Sequence, residues 1–161
     1  MDRAAKAVEQ WKRERPDLDV SPMLVLGRLN EASSLVARER LAPLFARFGL
    51  QAGEFDVLAT LRRSGQPYAL TPTALYEATM VTSGAMTNRL DRLEKAGLIL
   101  RGPHPNDRRG IVVQLTENGL ALIDEALTAN VANEHEILAG LTVAERDTLA
   151  GLLAKLIGSS V

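Results

Sequence analysis

Between Thr71 and Thr116 the residue pattern changes from helical to β-branched within a short span, and this order restricts the fold more than anything else in the chain. "TPTALYEATM" opens with Thr71 as a cap and Pro72 at the first helical position, where the missing N–H costs nothing and φ is already set. After a short turn Thr82 caps a second helix, "SGAMTNRLDRLEKAG", which closes near Gly97. Leu98-Ile99-Leu100 and Ile111-Val112-Val113 are strand-like runs joined by an extended hairpin tip. Two short helices joined by a tight turn and followed by a hairpin make a helix-turn-helix with a two-stranded wing.

Long helices flank this unit. Residues 2–15 carry Ala4, Val8 and Trp11 at helical spacing and stop at Pro16. Ser21-Pro22 reads as a cap and first-turn proline, and the apolar pattern then runs through Leu24, Leu29, Leu35, Val36 and Leu44 to Phe48, with a bend near Pro43 and a stop at Gly49. A shorter helix from Gln51 places Phe55, Leu58 and Leu61 on one stripe and ends at Ser64-Gly65. Thr116 caps a long helix that ends near Gly140, and Thr142 with Glu145 forms a capping box for the last one. The expected fold is mainly α with a small β-hairpin wing: an N-terminal accessory helix over 1–16, long flanking helices over 21–49 and 117–161, and the winged helix-turn-helix over 50–116.

Composition removes several classes of function. With no cysteine, disulfides, thiolate nucleophiles and thiol redox sensing are excluded, and His104 and His135 alone make a poor metal site. The charged N-terminus lacks the apolar core of a secretion signal, and no apolar run approaches the roughly 18 residues of a spanning segment, so a cytoplasmic protein without membrane contact is expected. Asp124 and Glu125 are adjacent on a helix and face different directions, and no nucleophile-base pair is in view, so neither an enzyme nor a cofactor is expected. The net charge of −1 hides a local excess: residues 82–110 hold six basic residues against three acidic ones.

The second helix of the motif is the one that enters a DNA major groove in this architecture. At about 100° per residue Met86, Leu90 and Leu93 form its buried stripe, which leaves Gly84, Thr87, Asn88, Asp91, Arg92 and Lys95 outside. Short polar side chains let the backbone approach the groove floor; Asn pairs bidentately with adenine, and Arg92 reaches a guanine or a phosphate. At the wing, Pro103 and Pro105 stiffen the tip and Asn106-Asp107 suits a turn. Arg108 and Arg109, adjacent in an extended chain, point to opposite faces, one toward a narrow minor groove and the other toward a phosphate. Asp107, two residues before Arg109, shares its face and can hold the guanidinium in position. The same fold also serves protein contact without sequence-specific DNA.

"GAMTNRLDRLEKAGLILRGPHPNDRRGIVVQLTENG" closely resembles the winged helix of MarR-type bacterial transcription regulators, including the signature Asp107-x-Arg109-x(5)-Leu115-Thr116. The likeness extends from about Ser21 to the C-terminus. It implies an obligate homodimer, built on the interlocked first and last helices, that presents two winged helices to a palindromic site on double-stranded DNA. It also implies Arg109 as the minor-groove residue and Ser83, Thr87, Asn88 and Arg92 as major-groove or phosphate contacts. Many such regulators are repressors released by small anions.

The chain also looks like the urate-responsive subgroup, in which a Trp on an extra N-terminal helix shares a pocket with an Asp and two Arg. The matching positions are Trp11, Asp56, Arg89 and Arg101. By helical arithmetic Arg89 lies about 60° from the centre of the buried stripe, where a half-buried guanidinium wants an anionic partner. Asp56 lies opposite the Phe55, Leu58 and Leu61 stripe. The implied effector is a small planar anion such as urate or xanthine, or a tricarboxylate.

Overall fold

The computed structural model describes residues 2–79, 83–104 and 107–159, with only the backbone described at 83, 84 and 107–109. The chain divides into two compact units, Met1–Pro43 and Leu44–Val161.

In the first unit α1 (Arg3–Glu14) packs on α2 (Ser21–Leu35) through the buried Ala4 and Val8. Asp2 caps α1 by accepting the Ala5 N–H at 2.8 Å, and its other oxygen receives Arg28 of α2 at 2.8 Å. Ser21 is not the cap that its position suggests. It is the first helical residue, preceded by Val20, and its N–H is taken by Asp19 at 3.0 Å.

Near Pro43, where the sequence suggests a bend, the helix carries a π-helical turn, Val36–Leu41, followed by α3 (Ala42–Arg47). Proline at position 43 removes an N–H and crowds the carbonyl four residues back. Widening the preceding turn, with the Ala42 N–H reaching back five residues to Ala37, relieves that crowding.

The second unit is the winged helix with its following helices. It runs α4 (Ala52–Arg63), β1 (Ala69–Leu70), α5 (Pro72–Ala78), α6 (Ser83–Lys95), β2 (Ile99–His104), β3 (Asp107–Leu115), α7 (Glu117–Ile137) and α8 (Val143–Gly158). Thr71, Thr116 and Thr142 cap their helices as the sequence predicts, each hydroxyl accepting an N–H three residues on. The Thr82 cap lies outside the described residues. Leu58, Leu61, Leu75, Ile99, Val113 and Ile123 are fully buried and join the helices to one face of the sheet.

The strip expected along α4 is shifted. Its buried residues are Glu54, Val57, Leu58, Thr60 and Leu61, while Phe55 is half-buried and stacks on Phe45 with ring centroids 4.2 Å apart.

The sheet is larger than the hairpin read from sequence. It is antiparallel with strand order β1-β3-β2, and β1 pairs Ala69 and Leu70 with Gln114 and Val113. Two residues are too short a run to register as a strand by alternation. The wing strands are also longer than the apolar runs, because main-chain pairing continues past them.

Pro103 pairs with Ile111 but His104 pairs with Asp107, so residues 108–110 bulge from β3. Arg108 and Arg109 therefore stand in a bulge. The strict alternation of faces expected for an extended pair does not carry through such an irregularity, which re-aims side chains. Pro105 and Asn106 lie outside the described residues.

Candidate nucleic-acid interface

α6 has the two faces predicted for it. Met86, Leu90 and Leu93 are buried at 5% exposure or less, and Thr87, Asn88, Asp91, Arg92 and Lys95 are exposed. The helix is thus pressed into the unit by its apolar stripe and shows a short polar edge outward. Ser83 stands at its first position, and Asp107, Arg108 and Arg109 stand on β3; the side chains of these four lie outside the described residues.

Among the described residues of the segment, Arg92 and Arg101 are engaged by carboxylates. Arg92 Nε donates to Glu54 Oε1 at 2.6 Å and its Nη2 to Gln51 Oε1 at 2.9 Å, which ties α6 to the first turn of α4. Glu54 Oε2 accepts the Gln51 N–H at 2.8 Å, so this buried carboxylate caps α4 and holds Arg92 at once. Arg92 is therefore a brace as well as a candidate DNA contact. Sequence reading missed Glu54 because a charged residue reads as solvent-facing; the Gln51-x-x-Glu54 spacing was the available signal.

Arg101 is held by Asp91 and Glu94 of α6 through side chain and main chain. Those carboxylates raise its pKa above the ordinary arginine value, the Glu94 hydrogen bond being the larger cause, and Arg101 holds the Glu94 carboxyl below the usual carboxylate range. Lys95 and Arg89 form no ion pair among the described residues.

Of the four residues matched to an effector pocket, Trp11 stands in the first unit and Asp56, Arg89 and Arg101 in the second. Trp11 is 46% exposed, so Ala4 and Val8, not the indole, hold α1 in place. Arg89 lies across the first turn of α4: a Cβ on Gly53 would strike its guanidinium. Its Nη1 is buried and has no hydrogen-bond partner among the described residues. Asp56 is half-buried, three residues after Gly53 and so on a neighbouring part of the same helical face. An unpaired guanidinium nitrogen at a helix N-terminus, where backbone N–H groups also favour negative charge, is chemically suited to an anion.

The Leu-Thr half of the signature is structural. Leu115 is buried; the Thr116 hydroxyl accepts the Gly119 N–H at 2.9 Å and donates to the Gly97 carbonyl at 2.7 Å. α7 approaches the α6-β2 turn so closely that a Cβ on Gly119 would run into the Leu98 carbonyl. Among the described residues no group of His, Asp and Glu is placed to hold a metal ion, and no helix is long and apolar enough to cross a membrane.

Residues 48–110 match the family model described as "MarR family". The chain is 47% identical over 148 residues to the HTH-type transcriptional regulator PecS of Dickeya dadantii, covering 92% of this chain and 89% of that protein. Its fold is similar to that of a cysteine-to-serine mutant of MarR from E. coli complexed with operator DNA, with TM-score 0.74, 31% identity, and 86% and 99% of the two chains covered. It is also similar to Bordetella bronchiseptica BpsR, whose DNA binding is regulated by 6-hydroxynicotinic acid, with TM-score 0.67, 28% identity, and 82% and 97% covered.

Proposed function

The chain belongs to the MarR family of DNA-binding transcription regulators, and from that premise we propose that it acts as a homodimeric repressor on a palindromic operator and is released by a small anionic ligand. Its relatives are transcriptional regulators and not enzymes.

The observation that carries the DNA reading is the division of α6 into a buried apolar stripe and an outward polar edge. Thr87 and Asn88 on that edge, with Ser83 before them, read bases or phosphates in the major groove, and Arg108 and Arg109, supported by Asp107, serve the wing. The unoccupied apolar side chains of α8, among them Leu152 at 61% and Ile157 at 64% exposure, favour a second copy as the other half of the assembly. A dimer sets the two recognition helices about 34 Å apart for successive major grooves.

The ligand reading rests on Arg89, whose buried Nη1, beside the N-terminus of α4, has no partner among the described residues. Urate, a xanthine-like heterocycle or a tricarboxylate supplies the missing acceptor, with Asp56 as a further contact. Arg89 is on the recognition helix, so a ligand that draws it toward α4 favours a dimer shape mismatched to the grooves.

Binding of the purified protein to a duplex that it selects from a randomised pool, titrated with salt and then with urate, xanthine, citrate and 6-hydroxynicotinate, tests both parts. An inverted-repeat preference with log K falling linearly in log salt supports the DNA reading. Indifference to sequence rejects it, and no release by any of the four anions rejects this ligand class.

A further inference from the structure

We propose that Arg101 is a positioning residue: it locks the wing to the recognition helix, so that strand pair and helix meet neighbouring grooves at one fixed angle. The inference rests on the operator-binding reading above and gives Arg101 a task other than the ligand contact implied by resemblance.

Arg101 is the third residue of β2 and stands opposite Val113, which is fully buried in the central strand. Its Nη2 donates to Asp91 Oδ1 and to Glu94 Oε2, both at 2.6 Å, and its Nε donates to Glu94 Oε2 at 3.0 Å. The Arg101 main-chain N–H donates to Glu94 Oε1 at 3.2 Å. Both oxygens of Glu94 are therefore tied to one residue of the wing, one through the main chain and one through the guanidinium.

Asp91 and Glu94, three apart on α6, share a face, so the clamp grips successive turns of the helix. A planar guanidinium fork fixes direction as well as distance, which an ammonium does not. Beyond Arg101 β2 has only Gly102, Pro103 and His104 before the wing tip, so a rotation allowed here displaces the tip.

The charges agree with this role. Two carboxylates on the exposed side of a helix that approaches phosphates would repel them, and a guanidinium between them both neutralises and aims them away. With Nε and Nη2 already bonded to carboxylates, the group is poorly placed to give a phosphate or an anionic ligand the same fork.

The test uses the full-length protein and a duplex selected by it from a randomised pool, with Arg101→Lys, Arg101→Ala and the near-isosteric Glu94→Gln. Affinity, its salt slope, and discrimination at base pairs under the wing and under α6 are measured separately, with thermal melting beside them. The expected result is about tenfold weaker binding for all three variants with the wild-type salt slope, and loss of discrimination confined to base pairs under the wing.

A merely structural lesion lowers discrimination at both sets of positions, and that outcome overturns the proposal. So does a phosphate contact, seen as Arg101→Lys binding like wild type while the slope of Arg101→Ala falls by about 0.9. Glu94→Gln binding more tightly than wild type, or Arg101→Ala binding normally but escaping release by urate, also overturns it. If the wild-type protein selects no duplex at all, the operator-binding reading itself has failed, which is a separate result.

Discussion

The guanidinium of Arg92 meets the carboxylate of Glu54 at 2.6 Å across 38 residues of sequence, joining the recognition helix to the first turn of α4. The two ends differ: Glu54 is 7% exposed and Arg92 is 51% exposed. The carboxylate depends on the arginine more than the arginine depends on it, because an unpaired buried charge is costly whereas an exposed guanidinium is solvated.

Arg92→Ala should therefore lower stability by roughly 1–2 kcal/mol, less than for a fully buried pair because solvent reaches one partner. Chemical denaturation of Arg92→Ala, Glu54→Gln and the double variant checks it. Additive losses in that cycle would show that the two groups do not couple.

Gly119→Ala should cost about 2 kcal/mol or more, since the added methyl runs into the Leu98 carbonyl, a main-chain atom that a side-chain rotation cannot move aside. The loss appears as a lower denaturant midpoint with an unchanged slope. A midpoint equal to wild type contradicts the packing of α7 on the α6-β2 turn.

Gly53→Ala should separate ligand response from stability. Its methyl displaces only the far end of the Arg89 side chain, and alanine is the better helix former by up to about 1 kcal/mol. Melting temperature should hold or rise while the urate or citrate concentration needed to release DNA increases severalfold. Arg89→Ala should show the same loss of response, and normal release in both variants removes Arg89 from the ligand site.

Acid should loosen the wing clamp at a defined point. The Glu94 carboxyl is held below its ordinary value of 4.5, first by the Arg101 side-chain hydrogen bond, so its contribution is present above that ordinary value and disappears as pH falls through the lowered one. Denaturation from pH 6 to pH 2.5 should show a steeper acid limb for the wild-type protein than for Glu94→Gln. Superimposable curves would count against the clamp.

Leu152→Glu on α8 should leave the folded protomer intact, because the leucine is 61% exposed there, yet weaken self-association and with it operator affinity by at least tenfold. Sedimentation across a concentration series reads the first effect and DNA titration the second. An unaltered association constant would place the second copy elsewhere.

Local order was legible in the sequence because its causes are local. The caps at Thr71, Thr116 and Thr142 need only a hydroxyl three residues before an N–H, and the Met86, Leu90 and Leu93 stripe needs only a repeat of three and four. From these the winged helix followed, together with the outward Thr87 and Asn88. Tertiary structure decided what joins distant positions: Glu54 turned inward to Arg92, Arg101 clamped between Asp91 and Glu94, β1 laid along β3, and Gly119 set against Leu98. A charged side chain carries no mark of whether water or a guanidinium will solvate it. Only the closure of the chain brings the two groups within reach, and only then does one of those solvents win.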